Sequence, residues 1–144
     1  VKNLNKTVIT IMSLVSIASV MNYAGMIGVI ASALVAATGV YYPLFVPLIG
    51  AIGTFVTGSD TSSNILFGKL QANVASQLSY PDPNWLVSAN TAGATGGKII
   101  SPQSIAIATA SCNMPGRDGE ILRSALPYAI GYIILAGLMV YFAC

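Results

Sequence analysis

The chain has 144 residues, is 55% hydrophobic and only 7% charged, and balances six basic against four acidic residues for a net charge of +2. A globular soluble chain is about one quarter charged, so a soluble domain is excluded, and the scattered basic residues form no arm for nucleic acid or anionic headgroups. Histidine is absent and the two cysteines, Cys112 and Cys144, have no C-x-x-C spacing, so the usual zinc and haem ligands are missing and no metal or cofactor is expected.

Between Lys6 and Asp60 run 53 residues without a charge, enough for at least two crossings at roughly 20 residues per helical span. The expected architecture is therefore all-α: a polytopic membrane protein with broken or re-entrant helices, laid out as one region over 1–144. A signal peptide would end its apolar core at a small-residue cleavage site, whereas here apolar segments recur to the last residue. Val1 stands where an initiator methionine would be, and the chain is short; the expectation is a C-terminal piece of a longer protein whose N-terminal part is missing.

Lys2 and Lys6 precede a first expected helix over 5–21 and place that end in the cytoplasm by the positive-inside rule. A second, over 26–38, carries Gly28, Ser32 and Ala36 at spacing four, the small-residue pattern that lets membrane helices approach closely. Gly39, Pro43 and Pro47 interrupt it, and a third helix follows over 44–56. The fourth, over 62–78, sets Lys69, Asn73 and Gln77 on one face against Leu66, Leu70 and Val74 on the other; this stripe either meets water at the membrane surface or lines a polar cavity. "SYPDPNW", Ser79 to Trp85, reads as an interfacial turn. Helices are then expected over 85–94, 103–112 and 121–143, with the charged loop "NMPGRDGE" at Asn113 to Glu120 before the last. Arg117 and Arg123 place that loop inside as well, so the chain between must cross an even number of times, or enter and return.

Two stretches interrupt the apolar sequence with glycine, hydroxyl and amide residues: "GTFVTGSDTSSN", Gly53 to Asn64, and "NTAGATGGKIISPQS", Asn90 to Ser104. Non-helical backbone in hydrocarbon leaves amide and carbonyl groups unpaired at several kcal/mol each, and persists only inside protein or beside a wet cavity. Secondary transporters build substrate sites from such broken helices, whose N-termini face an anion. Ser59, Thr61, Ser62 and Ser63 are donors of that kind, Asn64 donates and accepts, and Gly58 permits the tight backbone.

Asp60 is the costly member, because a carboxylate within a membrane is paired or protonated. It reads either as a helix N-cap or as a group that carries a proton. Lys98 reads as a counter-ion to Asp60 or to a substrate, or as a lysine snorkelling to the headgroups, and the same snorkelling applies to Lys69. "DTS", Asp60 to Ser62, resembles half of the aspartic-protease signature, but such enzymes need two carboxylates in one site; a Ser–Lys dyad is the other enzymatic reading. Neither outweighs transport, and a channel built on rings of polar groups is a lesser rival.

"GTFVTGSDTSSNILFGKLQ", Gly53 to Gln71, and "ANTAGATGGKIISPQSIAIA", Ala89 to Ala108, resemble the C-terminal part of the L-lactate permease family, with the similarity extending from about Lys2 to the final helix. The resemblance implies a multi-pass permease of the bacterial inner membrane that imports L-lactate, and commonly D-lactate and glycolate, together with protons. It also implies kinship with anion transporters whose paired re-entrant hairpins carry polar tips, here "SSN" at Ser62 to Asn64 and "ANT" at Ala89 to Thr91. Chemistry nominates Thr61, Ser63, Asn64, Asn90, Thr91, Lys98, Ser101 and Gln103 for the 2-hydroxy monocarboxylate and Asp60 for the proton. Partners are thus substrate, protons, membrane lipid and the missing part of the same protein. The alternative is a sodium-coupled transporter of another small organic anion.

Overall fold

The computed structural model describes residues 2–79, 82–114 and 116–143, and for residues 2–8, 10, 11 and 14 the helical backbone alone. Regular structure among them is helical: α1 (Lys2–Tyr23), α2 (Met26–Thr38), α3 (Tyr42–Thr57), α4 (Asp60–Gln77), α5 (Pro83–Ile100), α6 (Pro102–Ser111) and α7 (Asp118–Ala143). A 3-10 turn, Gly39–Tyr41, joins α2 to α3.

Local chemistry sets the ends. Gly58 closes α3 in the left-handed conformation, φ 71, with its N–H on the Thr54 carbonyl, a geometry in which glycine alone carries no Cβ penalty. Ser59 then caps α4 by accepting from the Ser62 N–H. Asp82 caps α5 and Ser101 caps α6, each followed by a proline in the first turn, where the missing N–H has no partner to lose. The interruption expected at Pro43 and Pro47 is confined to Gly39–Tyr41, since α3 begins at Tyr42 and holds both prolines. Pro43 lies in its first turn, and Pro47 sits wholly buried within it.

Helices α3 and α5 form the centre. Pro47 meets Gly93 and Ala51 meets Gly97, so residue numbers rise together and the two helices run parallel. A β-carbon at Gly50 would overlap the Asn90 carbonyl, one at Gly93 the Pro47 carbonyl, and one at Gly97 the Ala51 carbonyl. Backbone thus touches backbone, the arrangement that small residues permit between membrane helices. Helix α7 joins the same centre, where a β-carbon at Gly137 would lie 2.8 Å from the Leu44 carbonyl oxygen.

Two expectations change here. The stripe Gly28, Ser32 and Ala36 makes no close approach among the described residues: a β-carbon at Gly28 meets nothing, and α2 instead buries Ile27 and Ala31. The interruption expected over Asn90–Ser104 narrows to Ser101, because α5 is helical through Ile100 rather than ending at 94. Glycine lowers helix propensity by about 1 kcal/mol per residue, but Gly93 and Gly97 abut α3 and Gly96 abuts Tyr132 and Ile133 of α7, so packing outweighs propensity.

The outer surface is apolar: Ile9, Met12 and Val29 on the first two helices, Val56 on α3, and Tyr128, Leu135, Met139 and Phe142 on α7 are all exposed. Exposed apolar surface of that extent marks an area of contact with lipid or with another protein segment. Two stretches, Met26–Thr57 (32 residues) and Asp118–Ala143 (26 residues), are long and apolar enough to cross a membrane. Of the expected interfacial turn, Tyr80 and Pro81 lie outside the described residues, as do Cys144 and the side chains of Lys2 and Lys6.

Gly28→Ala and Gly93→Ala make the same chemical change in two helix interiors, and both gain propensity. In the intact protein Gly28→Ala is expected to hold or raise the thermal midpoint. Gly93→Ala is expected to lower stability by about 1–3 kcal/mol through overpacking. Equal effects, read by thermal unfolding in detergent, would contradict the α3–α5 contact.

Candidate functional site

Asn64 and Gln71 stand seven residues apart on α4, roughly two turns, and so share one face. Helix α3 turns Tyr42 toward that face and α5 brings Asn90 and Thr91. The side chains connect in one line: the Tyr42 hydroxyl donates to Gln71 Oε1 at 2.6 Å, Gln71 Nε2 donates to Asn90 Oδ1 at 3.2 Å, and Asn90 Nδ2 donates to Asn64 Oδ1 at 2.8 Å. The Thr91 hydroxyl lies 3.2 Å from the same Asn64 oxygen and 3.2 Å from the Val87 carbonyl, and one proton serves either acceptor. Tyr42, Gln71 and Asn90 are fully buried, Asn64 is half-buried and Thr91 is exposed. A satisfied polar chain therefore runs from the core to the surface and ends in an amide and a hydroxyl with hydrogen-bonding capacity to spare.

The two helix breaks meet at Gly58. Lys98 Nζ donates to the Gly58 carbonyl, and the Gln103 side chain of α6 lies across the same residue, where an added β-carbon would strike it. Asp60 is the first residue of α4, one place inside the cap: of its two readings, the capping role belongs to Ser59. Its Oδ1 is buried and, among the described residues, has no hydrogen-bond partner; Thr54 Oγ1, four residues before Gly58, is in the same state. Asp60 and Lys98 form no ion pair; the ion pair among the described residues is Arg117–Glu120 on the exposed loop side of α7.

The nominated residues thus divide by position. Asp60, Thr61, Asn64, Thr91 and Gln103 are exposed or half-buried. Ser63 is buried and donates to the Gly50 carbonyl at 2.9 Å, Asn90 is internal to the polar chain, and Ser101 is buried as the α6 cap. Asn90 and Thr91 sit inside a continuous helix and not at a break or hairpin tip. Lys98 is half-buried and donates to the Gly58 carbonyl. The stripe Lys69, Asn73 and Gln77 faces away from this site, with Lys69 and Gln77 exposed and the Asn73 amide turned back on the Lys69 carbonyl at 2.9 Å.

Tyr42, Gln71 and Thr54 were missed by sequence reasoning. The available signal was the spacing of Asn64 and Gln71, which defines a second polar face on α4. Tyr42 carries no local signal, since a tyrosine beside Tyr41 in an apolar stretch is ordinary, and Thr54 lies inside the Gly53–Asn64 motif with nothing local to set it apart from the other hydroxyls there.

The family model for L-lactate permease matches residues 1–144. The chain belongs to the L-lactate permease family. It is 44% identical over 132 residues to the glycolate permease GlcA of Escherichia coli (strain K12), covering 92% of this chain and 23% of that protein. To the L-lactate permease of the same strain it is 40% identical over 138 residues, covering 96% and 25%, and to that of Bacillus subtilis (strain 168) 38% over 141 residues, covering 98% and 25%. The chain therefore spans about a quarter of the length of the curated relatives it matches. No solved structure matches it. The family is one of membrane transporters rather than enzymes, and both sequence motifs lie within the matched residues.

Tyr42→Phe and Gln71→Leu each strand a buried partner and are expected to cost about 1–3 kcal/mol apiece. Combined, they should cost clearly less than their sum, because the phenol and amide that need each other are both gone. Additive thermal shifts in the double-mutant cycle would show that the two side chains do not meet.

Proposed function

We propose that this chain is part of a proton-coupled importer of L-lactate and related 2-hydroxy monocarboxylates, glycolate and D-lactate among them, in the bacterial inner membrane. The carrying observation is that the buried polar chain surfaces at Asn64 and Thr91, about one helical turn from Asp60 and on the helix that presents Lys98. The names of the relatives, a glycolate permease and L-lactate permeases, support the substrate class.

A 2-hydroxy carboxylate offers three oxygens on adjacent carbons. In this reading the Asn64 amide and Thr61 hydroxyl donate to the carboxylate, Thr91 meets the hydroxyl, Ser63, Asn90 and Ser101 hold these groups in place, and Gln103 packs against Gly58 at the break. Charge arithmetic then dictates the coupling. Lys98 is positive; with Asp60 ionised and no substrate the site is neutral, and with lactate bound it is neutral only if Asp60 takes a proton. Either neutral state crosses the membrane interior far more readily than a charged one, so anion and proton move together as the bundle alternates its access.

In the full-length permease, Asp60→Asn is expected to lower pH-driven accumulation of labelled L-lactate by at least about tenfold, which is 1.4 kcal/mol. Lactate exchange across vesicles should persist, because the asparagine keeps the site neutral when loaded. Normal accumulation would remove Asp60 from coupling, and a parent that moves no lactate would overturn the substrate reading.

A further inference from the structure

We propose that Tyr42 is a positioning residue that sets substrate class from the buried end of the polar chain: its phenol fixes the direction in which every amide of the chain points, so that Asn64 turns its nitrogen toward the ligand. As a statement about specificity this rests on the function proposed above, but the direction of the chain has a test of its own.

A side-chain amide donates at one end and accepts at the other, so a line of amides can run in two directions. In the observed one Tyr42 donates to Gln71 Oε1, Gln71 Nε2 to Asn90 Oδ1, and Asn90 Nδ2 to Asn64 Oδ1. Turning all three amides over exchanges each oxygen for a nitrogen and keeps both bonds between amides. Thr91 adapts too, because its hydroxyl can accept from a nitrogen and give its own proton to the Val87 carbonyl.

Tyr42 alone tells the two directions apart. With the chain reversed its oxygen would accept from Gln71, and the phenol proton would have no other acceptor among the described residues. Tyr42 is fully buried, so no group from outside the bundle reaches it. A buried donor left without a partner costs far more than a carbonyl oxygen with a spare lone pair, and the phenol therefore dictates the observed direction. At the other end, Asn64 Oδ1 is already taken by Asn90, while Nδ2 has no partner among the described residues. An outward donor suits a carboxylate, which only accepts; an outward oxygen would repel it and favour a neutral ligand with an N–H to give. Tyr42 thus governs a contact it does not itself make.

The experiment compares equilibrium binding of L-lactate and of L-lactamide, its uncharged amide, to the purified full-length permease and to its Y42F form. The parent is expected to favour lactate. Without the phenol both directions are populated, so Y42F should bind lactate about twofold more weakly and lactamide more tightly, and the lactate-to-lactamide affinity ratio should fall at least about fivefold. Q71M cuts the chain one member later, is expected to relax the ratio in the same way, and serves if Y42F does not fold. A merely structural Tyr42 would weaken both ligands by one factor, and an unchanged ratio would overturn the proposal. The thermal midpoint of N64D reads the direction without any ligand. Aspartate still offers an oxygen to Asn90 Nδ2, so N64D should stay close to the parent while N64L falls by several degrees. Equal losses in N64D and N64L would overturn the direction. A parent that binds neither ligand while N64D holds its midpoint would overturn the substrate reading and the specificity role with it, and leave only the direction standing.

Discussion

The close approach of α3 and α5 is the constraint on which the rest depends. Gly50, Gly93 and Gly97 bring the two backbones into contact, each at a point where a β-carbon would overlap a carbonyl of the other helix. Small residues let two helices approach until packing and hydrogen bonds between them hold the contact, as they do between membrane helices. Because the helices run parallel and in fixed register, the end of α3 at Gly58 and the end of α5 at Lys98 and Ser101 arrive at the same level. The two breaks become one place in the fold.

Helix α4 turns back against this pair and determines what lies between. Beside the buried Leu70 and Val74, its inner face carries the amides Asn64 and Gln71, and these are partnered in the line from Tyr42 through Gln71 and Asn90 to Asn64. A partly satisfied buried network would destabilise the bundle, whereas a fully connected one fixes side-chain orientations at its exposed end. Asn64 is thereby held through its oxygen, and in the function proposed above its nitrogen is the group that meets the substrate. The Ser63 hydroxyl ties the same helix to the Gly50 carbonyl at 2.9 Å, so the glycine contact and the polar chain reinforce each other.

Much of this was legible in the residues. The charge-free run announced membrane helices, and the ordered motifs at Gly53–Gln71 and Ala89–Ala108 carried the family. Spacing-four small residues occur both at Gly28–Ala36 and at Ala89–Gly97, and spacing alone does not say which stripe has a partner backbone. The glycines of Gly93–Gly97 resemble a break because propensity is local, while the reason for Gly93 and Gly97 is a helix forty or more residues earlier in the chain and that for Gly96 is α7. The exposed stripe on α4 drew attention from the buried one, since periodicity reveals polar faces but not which of them turns inward. Ser59 rather than Asp60 takes the cap for a similarly spatial reason: either residue suits the position, and the backbone extends at Ser59.

Equilibrium binding of L-lactate to the full-length permease carrying Thr91→Val tests most directly whether the exposed end of the polar chain is the substrate site. Valine keeps the shape of threonine and removes one hydroxyl at an exposed position. The thermal midpoint should therefore stay in place while affinity falls about tenfold, the worth of one hydrogen bond at roughly 1.4 kcal/mol. Unchanged affinity in a normally folded variant would place lactate elsewhere and leave the polar chain as a purely structural element of the bundle.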